Sequence, residues 1–358
     1  MLDTHQPQAI SLEARIRFQE PHLERVSRSF AYGIARLEPR LRASVGLGYL
    51  VCRILDTVED AQWPSSSDQL RAFHEFEQFV TSMATDRVAV RAWAQRFPLS
   101  ISAGERLLLA DADEVFAQFA SQDARDRRAM LDPVLSMSRG MASFALRGFR
   151  VRDLTDLNLY CFFVAGVVGE LLTGLVAGSI EDELRPIGRE SIWELGTHFG
   201  LFLQKINVLK DQAGDEAEGR FLVPDRALVF ASLKAHAEGA FSYLRAIPLA
   251  RRDYRLFCAW ALYLGLATIP LLRSGGGKIS RMQALSLGAR VELAILDNDR
   301  LRALFNDLVA EAWPSSPEEV PVGSISRALT GLTCYSGRLN IEALAHLLAG
   351  ADPRAALV

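Results

Sequence analysis

Apolar residues recur along this chain at steps of three and four, the spacing that places them on one side of an α-helix. Proline, glycine and polar clusters interrupt the pattern and separate one helical segment from the next. The pattern predicts helices over residues 12–16, 27–37, 41–60, 68–83, 88–96, 103–119, 123–146, 154–177, 191–211, 226–246, 253–272, 281–297, a further one ending near 312, and 340–350. The first helix is expected to stop before Pro21, because proline lacks the N–H that a helix interior needs.

The same pattern sets the fold class. No segment alternates as a strand does, and neither a repeat period nor a GxGxxG motif occurs. We therefore predict an all-α fold in one domain over residues 1–358, with a loose arm at 1–11 and a tail at 351–358.

Two of the predicted helices are apolar enough to raise the question of a membrane span. Residues 160–180 are almost wholly apolar or small apart from Glu170, and residues 256–272 are apolar or small throughout. Hydropathy alone would allow either to cross a bilayer. Because the first carries an acidic residue near its middle and the second is short for a span, we interpret both as core helices. Peripheral contact with a membrane stays open.

Composition and charge narrow the function classes. With 49% apolar and 23% charged residues the chain is an ordinary globular protein, and its net charge of −3 gives no reason to expect a nucleic-acid partner. The histidines form no HExxH motif, so a histidine metal site has little support. The cysteines are far apart and form no CxxC, which predicts buried reduced thiols rather than disulfides or a zinc site at Cys52, Cys161, Cys258 and Cys334.

Two pairs of aspartates lie inside apolar helical segments. Asp56 and Asp60 form the first pair, and Asp211 and Asp215 form the second. Four residues correspond to about 400° of rotation and about 6 Å of rise in a helix, so both carboxylates of a pair share one side. For a single pair, the ordinary alternative is a solvated helix face.

Further polar residues precede each pair in phase with it. Tyr49 and Arg53 lead to the first pair, and Gln204 and Asn207 lead to the second. A polar stripe on an apolar helix needs an internal partner. Two such stripes facing each other would be neutralised by Mg²⁺ holding a diphosphate, because Mg²⁺ prefers oxygen ligands and is completed by substrate phosphates. The hypothesis is an enzyme that ionises a prenyl diphosphate.

Two other stretches have the composition of anion sites. Ser27-Arg28-Ser29, at the start of a predicted helix, offers two hydroxyls and a guanidinium; an ordinary serine N-cap is the equal alternative. The charged stretch 214–224 is predicted to be a mobile flap whose Arg220 closes on a phosphate. A plain surface loop is the alternative for the second stretch.

Four blocks of this sequence, between residues 27 and 281, resemble the squalene/phytoene synthases. This family comprises head-to-head trans-prenyltransferases with an all-α isoprenoid-synthase fold, a helical bundle around a central cavity, and the chain is most similar to its squalene synthase branch. The blocks, in family order, are Ser27-Arg28-Ser29-Phe30, YLVCRILDTVED at 49–60, YCFFVAGVVG at 160–169 and FLQKINVLKD at 202–211.

The resemblance implies a role for each matching residue. The catalytic set it implies is Tyr160 with the four Mg²⁺-binding aspartates, Asp56, Asp60, Asp211 and Asp215. Tyr160 would manage the proton lost when a cyclopropane closes. The implied substrate-binding residues are Ser27, Ser29, Phe30, Tyr49, Arg53, Val164, Val168, Leu172, Gln204, Asn207, Lys210 and Arg220. Lys278 and Arg281 resemble the basic loop near NADPH phosphates, with a surface turn as the equal alternative.

Four positions depart from the family pattern. Lys210 stands where arginine is usual, so a bidentate phosphate fork becomes a point charge. Gln212 replaces a residue that is often aromatic or apolar. Phe162 stands where many eukaryotic squalene synthases have histidine, and Ala261 where they often have proline. None of the four is an aspartate of the two pairs, so ionisation should survive. The last two bear on the reductive half of the reaction.

The expected reaction joins two farnesyl diphosphates to presqualene diphosphate and reduces this to squalene with NADPH, using Mg²⁺. The alternatives are a non-reductive dehydrosqualene or phytoene synthase, an enzyme that stops at presqualene diphosphate, and a non-catalytic member of the family. No obligate protein partner is evident. The expected location is the cytoplasm, with peripheral contact at the inner face of the membrane.

Overall fold

A computed structural model describes residues 10–184, 189–276 and 278–314 of the chain. The chain divides into two compact units, Met1–Leu131 and Asp132–Val358. The predicted arm lies almost entirely outside the described residues, and the predicted tail, last helix and fourth cysteine lie wholly outside them. The organisation as one domain stays a prediction.

The first unit consists of helices joined by short turns. They are α1 (Leu12–Val26), α2 (Arg28–Ile34), α3 (Pro39–Asp60), α4 (Ser66–Thr81), α5 (Arg87–Ala94), α6 (Ala103–Ala110) and α7 (Ala112–Ala120), and the boundary between the units falls within α8 (Ala124–Leu146). Side-chain oxygens accept hydrogen bonds from the first turns of several of them, which satisfies N–H groups that have no partner inside the helix. These capping residues are Ser11, Glu38, Ser65, Asp86 and Ser102.

Helix α3 is the centre of the first unit's core. Helices α1, α2, α4, α6 and α7 all contact it. Its side chains Leu47, Leu50, Ile54, Leu55 and Val58 have no exposed surface. Since complete burial of one such side chain contributes about 1.5–3 kcal/mol, this helix is held firmly, and so are the polar residues on its remaining side.

The prediction that the first helix stops before Pro21 is wrong, because α1 continues through it to Val26. Gln19, His22 and Leu23, on both sides of the proline, are buried. Gln19 Nε2 also donates a hydrogen bond of 3.0 Å to Gln118 Oε1. The packing of α1 along α3 compensates for the one backbone hydrogen bond that proline cannot make.

The second unit contains the remaining helices. They are α9 (Leu154–Cys161), α10 (Val167–Leu184), α11 (Arg189–Ala217), α12 (Arg226–Ala246), α13 (Arg252–Arg273), α14 (Arg281–Ala294) and α15 (Asn298–Ala312), with a π-helical turn, Phe162–Gly166, joining α9 to α10. Among the described residues the β-type pairing is an isolated bridge between Arg150 and Phe221. The all-α prediction is confirmed.

Several predicted boundaries need correction. The single helix predicted over 103–119 is two helices, because the chain turns at Asp111. The carboxylate of Asp111 lies 3.2 Å from Nε2 of His22 in α1. The helix predicted over 154–177 is interrupted by the π-helical turn. The flap predicted to start at residue 214 begins as helix, because α11 continues to Ala217.

Helix α11 is the centre of the second unit and contacts α9, α10, α12 and α13. Glycines allow the backbones of α10 and α11 to approach very closely. A Cβ on Gly169 would overlap the carbonyl of Gly196, and a Cβ on Gly200 would overlap that of Ala165. These glycines fix the position of α11, which carries the second aspartate pair.

By length and composition alone, two helical segments of the described ranges could cross a membrane, Leu154–Ala177 and Arg252–Arg273. In the most apolar window of each, 72% and 56% of the residues, respectively, are buried inside the protein. This burial is what the interpretation as core helices predicts. Cys52, Cys161 and Cys258 are also buried and unbridged, which confirms the predicted thiols at those three positions.

Candidate active site

The polar stripe of the first unit lies on the accessible side of α3. Tyr49, Arg53 and Asp56 are half-buried and Asp60 is exposed, while the residues between them are buried. Steps of four, three and four keep the four side chains on one side of the helix. The structure therefore brings these predicted residues together.

Arg53 lies between two carboxylates. Its Nη1 is 3.6 Å from Asp56 Oδ2, and its Nη2 forms an ion pair with Glu105 of α6. Burial opposes the charge of Arg53, but the carboxylates of Asp56 and Glu105 outweigh it, and the pKa of Arg53 is raised. Burial likewise opposes the charge of Glu105, yet hydrogen bonds from Ser102 and the charge of Arg53 lower its pKa. Arg53 is held in its charged form beside the first aspartate pair.

Tyr49 connects α3 to the Ser27-Arg28-Ser29 block. Its ring lies 5.3 Å from that of Phe30, measured between centroids, and its side chain is hydrogen-bonded to Ser27. Ser27 occupies the N-cap position of α2, but its side chain makes no capping hydrogen bond. Burial raises the pKa of Tyr49, against the opposing effects of Ser27 and Arg53, so the phenol keeps its proton. Ser27 is thus the N-cap residue of α2 by position, without the side-chain hydrogen bond of an ordinary cap, and Ser29 is exposed.

Arg28 belongs to the same block but lines a cavity whose walls include neither Tyr49 nor Ser27. A half-open cavity of about 460 Å³ is bounded by α1, α2 and the start of α3. Arg28 lines it together with Arg36, Arg42, Glu20 and Glu24. Because Arg42 and Glu20 form an ion pair within this wall, cations and anions are mixed there.

In the second unit, the accessible residues of the π-helical turn and of α10 follow the spacing predicted for a channel wall. Val164, Val168 and Leu172 are half-buried. The residues next to them, such as Val167 and Leu171, are buried. The accessible line is wholly apolar and lies one, two and three turns beyond the predicted proton-handling tyrosine.

Tyr160 is itself buried, with 2% of its surface exposed. Its ring packs edge-on against Phe144 with 5.1 Å between centroids. The π-helical turn begins two residues later, and such turns are frequent at functional sites because they re-aim the side chains on either side.

The polar residues of α11 form a connected row. Asn207 Nδ2 donates to Gln204 Oε1 at 3.5 Å, and Lys210 Nζ donates to Asn207 Oδ1 at 3.1 Å. Lys210 Nζ also lies 3.2 Å from Asp211 Oδ2, and the side chain of Asp211 is 57% exposed. Lys210 therefore provides the cation beside the first aspartate of this pair, as Arg53 does on α3.

Arg220 connects Asp215 to Tyr160. Its Nε is 3.8 Å from Asp215 Oδ1, and its Nη2 donates a hydrogen bond of 3.3 Å to the Tyr160 hydroxyl. The guanidinium stacks 4.3 Å from the ring centroid of Phe149, and its side chain is only 12% exposed. These contacts hold Arg220 in the folded chain, and its predicted contact with a phosphate stays a prediction.

The donor chemistry of the two pairs fits Mg²⁺. No group of three or more His, Cys, Asp or Glu side chains in the described ranges is close enough to hold a metal ion by itself. Each helix instead offers two carboxylates on one side. Mg²⁺ is commonly bound by one or two carboxylates, with waters and substrate phosphates completing its shell, so the pairs suit an ion that arrives with a diphosphate.

The two residues predicted near NADPH lie at the start of α14. Lys278 and Arg281 are exposed. Ser280, between them, is used as the N-cap of α14 and forms a reciprocal capping box with Gln283. Exposed cations at a helix start fit a phosphate group.

Three functional features are not predicted by the sequence reasoning. The first is Glu105 as the partner of Arg53, although the Ser102-x-x-Glu105 pattern signals a capping box. The second is Phe149 as the platform under Arg220. The third is a buried chain in which Lys205 Nζ contacts His236 Nε2 at 2.9 Å and His236 Nδ1 contacts His198 Nδ1 at 3.0 Å.

Comparison with known proteins identifies the family. The sequence model described as Squalene/phytoene synthase matches residues 23–233, which include both aspartate pairs. The chain belongs to the squalene/phytoene synthase family. Lys278 and Arg281 lie outside the matched region.

Relatives in this family are called squalene synthases. The chain is 34% identical over 209 residues to one from Mycosarcoma maydis, covering 57% of this chain and 34% of the relative. It is 32% identical over 215 residues to one from Bos taurus, covering 60% and 48%. The chain thus spans between a third and half of the length of the curated relatives it matches.

Solved structures of the family share the fold. TcSQS in complex with the ligand BPH1237 superposes with a TM-score of 0.67 at 24% identity, covering 83% of this chain and 97% of that one. A dehydrosqualene synthase in complex with a ligand gives a TM-score of 0.53 at 18% identity, covering 79% and 97%. At these identities the likeness concerns the fold.

Proposed function

We propose that this protein is a prenyltransferase that joins two farnesyl diphosphates head to head and forms squalene by way of presqualene diphosphate. The observation that carries the proposal is the pair of polar stripes on α3 and α11, each ending in two aspartates, within a chain of the squalene/phytoene synthase family. The names of the relatives support the product. We also propose that the two stripes face each other across one bound substrate.

The four aspartates would hold Mg²⁺ and, through it, the diphosphate. When bound, Mg²⁺ supplies Lewis-acid stabilisation of the departing diphosphate. Arg53 and Lys210 balance the aspartate charge and offer donors to phosphate oxygens. Tyr49, whose raised pKa keeps its proton, offers one more donor from the same side of α3.

Tyr160 would handle the proton lost on cyclopropane closure. Arg220 donates to the Tyr160 oxygen, and arginine has no acceptor, so the phenol proton must point away from Arg220. Asp215 and the Phe149 ring hold Arg220 in place. The phenol is thereby oriented by contacts that already exist in the folded chain.

The prenyl chains would lie along Val164, Val168 and Leu172. A carbocation is quenched by water, so its surroundings must be apolar and dry. These three side chains offer hydrocarbon surface one turn apart, directly beyond Tyr160. Ser27, Ser29, Phe30, Gln204 and Asn207 would complete the substrate contacts.

Lys278 and Arg281 would contact the phosphates of NADPH, which supplies hydride when bound. Their exposure suits a cofactor that binds and leaves. We further propose that the protein is cytoplasmic, folds as one domain, has no obligate protein partner and contacts the inner face of a membrane peripherally.

Product analysis tests the proposal directly. Purified protein is incubated with farnesyl diphosphate and Mg²⁺, with and without NADPH. We expect presqualene diphosphate or dehydrosqualene without the reductant, and squalene with it. The same product in both arms would assign a non-reductive or presqualene diphosphate synthase instead. Absence of turnover with farnesyl and geranylgeranyl diphosphates would identify a non-catalytic member of the family.

A further inference from the structure

Helix α14 is apolar on two opposite sides. On its inner side Leu287, Val291 and Ala294 are buried, and a Cβ on Gly288 would overlap the ring of Trp260 in α13. The outer side carries a second apolar line, at steps of three and four, that is exposed. Its members are Met282, 75% exposed, Leu285, 51%, and Leu293, 80%, with exposed Ala289 between them; Leu296, 54% exposed, follows in the turn after the helix.

Such a helix is unusual on a protein surface. A surface helix normally presents charged and polar residues opposite its buried side. Single exposed leucines are ordinary, but a continuous apolar line marks an interaction surface. The line from Met282 to Leu293 spans about 16 Å at 1.5 Å per residue, nearly the full length of α14.

Basic residues outnumber acidic ones in α14 and the residues just before it. Between residues 278 and 296 the chain carries Lys278, Arg281 and Arg290 against Glu292, whereas the whole chain has a net charge of −3. At 100° per residue, Arg281 and Arg290 fall at opposite edges of the apolar line, and Glu292 falls at the same edge as Arg281. Arg290 lies 3.7 Å from Asp307, but both side chains are more than half exposed, so the pair is weak and Arg290 can turn to another anion.

We propose that the outer side of α14 docks on a membrane surface that contains anionic lipids. An apolar line flanked by basic residues is the pattern of a helix that lies in the plane of the interface. A second copy of the chain fits less well. A stable protein interface uses about 20–30 residues on each side, whereas α14 offers a single line of four.

The surface has a functional meaning that rests on the proposed function. A hydrocarbon product of the size of squalene is insoluble in water and must be delivered to lipid. The side of α14 opposite the membrane packs on α13 at Trp260, next to the half-buried residues Leu264 and Leu271 of that helix. Docking through α14 would hold the second unit against the bilayer that receives the product.

Vesicle flotation tests the proposal with the full chain. Wild-type protein is mixed with vesicles of phosphatidylcholine alone, or with about 30% phosphatidylglycerol added to supply the negative surface potential. We expect stronger binding to the anionic vesicles. The double variant Leu285→Gln/Leu293→Gln should lower that binding about tenfold, because two side chains lose their contact with the acyl region. Arg290→Gln should lower it about fivefold on anionic vesicles only.

A matched pair of exposed apolar residues serves as the control. Val88 and Leu99, 79% and 87% exposed in the first unit, are changed together to glutamine and should leave vesicle binding unchanged. Equal binding by the α14 variant and wild type would overturn the proposal. A dimer in solution that the α14 variant abolishes would also overturn it. So would a melting temperature of the α14 variant more than about 5 °C below that of wild type, because either result would show that protein covers this side of α14.

Turnover of farnesyl diphosphate is measured on the same protein preparations, before vesicles are added. The α14 variant should convert farnesyl diphosphate as the wild type does. No turnover in any sample, with vesicle binding as expected, would contradict the proposed function and leave the docking surface standing. Turnover without vesicle binding would contradict the docking surface and leave the proposed function standing.

Discussion

At the scale of single residues, each aspartate pair has its own cation nearby. Arg53 lies 3.6 Å from Asp56, and Lys210 lies 3.2 Å from Asp211. Two carboxylates on one side of a helix repel each other, and an adjacent cation reduces that cost before any metal arrives. Each pair is therefore partly neutralised by a side-chain cation in the folded chain.

The first prediction concerns these pairs. Asp56→Asn and Asp211→Asn should each reduce turnover of farnesyl diphosphate at least about 100-fold, because each removes a charged oxygen donor for Mg²⁺. Helical content, measured by circular dichroism, should not change. Asp307→Asn removes an exposed carboxylate from α15 and should keep wild-type turnover. Undiminished turnover in either pair variant would reject the metal assignment.

The second prediction concerns Glu105, which acts on the site through Arg53. Glu105→Gln should leave Arg53 free to move, and we expect KM for farnesyl diphosphate to rise roughly fivefold while kcat changes less than about twofold. Glu105→Asp should recover part of the loss, since it restores the negative charge.

The control for this variant is Glu75→Gln. Glu75 of α4 forms a similar ion pair with Arg96, away from the stripe on α3. Its loss should leave both kinetic constants unchanged. If Glu105→Gln changes melting temperature but not KM, Glu105 has only a structural role.

At the scale of the helices, α11 is joined to α12 by a buried polar chain. Lys205 Nζ donates to Ser232 Oγ at 2.7 Å and to His236 Nε2 at 2.9 Å, and all three side chains are fully buried. If Lys205 donates to Nε2, His236 carries its proton on Nδ1 and donates to His198. Burial lowers the pKa of Lys205 to about 7. The pKa of His236 is lowered as well, mainly by burial and to a smaller extent by the charge of Lys205.

The third prediction follows from the lowered pKa of Lys205. Between pH 7 and the unfolded value of 10.5, the unfolded chain holds a proton that the folded chain has released. The contribution of Lys205 to stability therefore rises with pH across this window, by at most about 1.4 kcal/mol per unit, and is flat below it. Lys205→Met should remove this rise. The measurement is the free energy of unfolding in urea at several pH values.

Lys234→Met provides the comparison. Lys234 is a half-buried lysine on α12 outside the buried chain. Its replacement should leave the pH dependence of the unfolding free energy as in the wild type. Parallel curves for wild type and Lys205→Met would show that Lys205 stays charged in the folded protein.

At the scale of the whole molecule, the first aspartate pair belongs to one compact unit and the second pair to the other. The proposed function requires both pairs to bind one metal–diphosphate cluster. The fourth prediction tests this directly. Mg²⁺ with inorganic pyrophosphate, at about 100 times its dissociation constant, should raise the melting temperature of wild type by roughly 5 °C.

Loss of either pair should abolish that shift. Asp56→Asn and Asp211→Asn are measured with Mg²⁺ and pyrophosphate, and Mg²⁺ with sulfate serves as the control ligand. A shift that survives Asp56→Asn but not Asp211→Asn would mean that the second unit binds the cluster alone. The proposal of one shared site would then be wrong.

Much of the helical framework could be predicted from the sequence, and the errors have local causes. The helix over Pro39–Asp60 was predicted almost to the residue, because its apolar repeat is long and a proline and a polar loop bound it. The passage of α1 through Pro21 was missed, because the compensating contacts with α3 are far away in sequence. The sequence does not predict the π-helical turn after Tyr160 either. Residues 162–166 are all apolar or small, so they show no periodicity that could distinguish a π-helical turn from an α-helix.

The candidate site shows the same division. Tyr49, Arg53 and Asp56 could be placed on one side of α3 because helical spacing alone decides which side chains share a side. The ion pair of Arg53 with Glu105 could not, because their separation in sequence says nothing about their distance in space. Nor could the engagement of Arg220, which depends on Phe149 and Tyr160 from other segments.

By itself, then, the sequence determined the helices, the two aspartate pairs and the family to which the chain belongs. These follow from spacing and residue type, which are local properties of the chain. The tertiary structure alone decided which neighbours hold Arg53 and Arg220, that Lys205 is buried among histidines, and that α14 keeps an apolar side exposed. Those outcomes depend on the packing of distant segments, because burial and electrostatic partners are set by the folded environment.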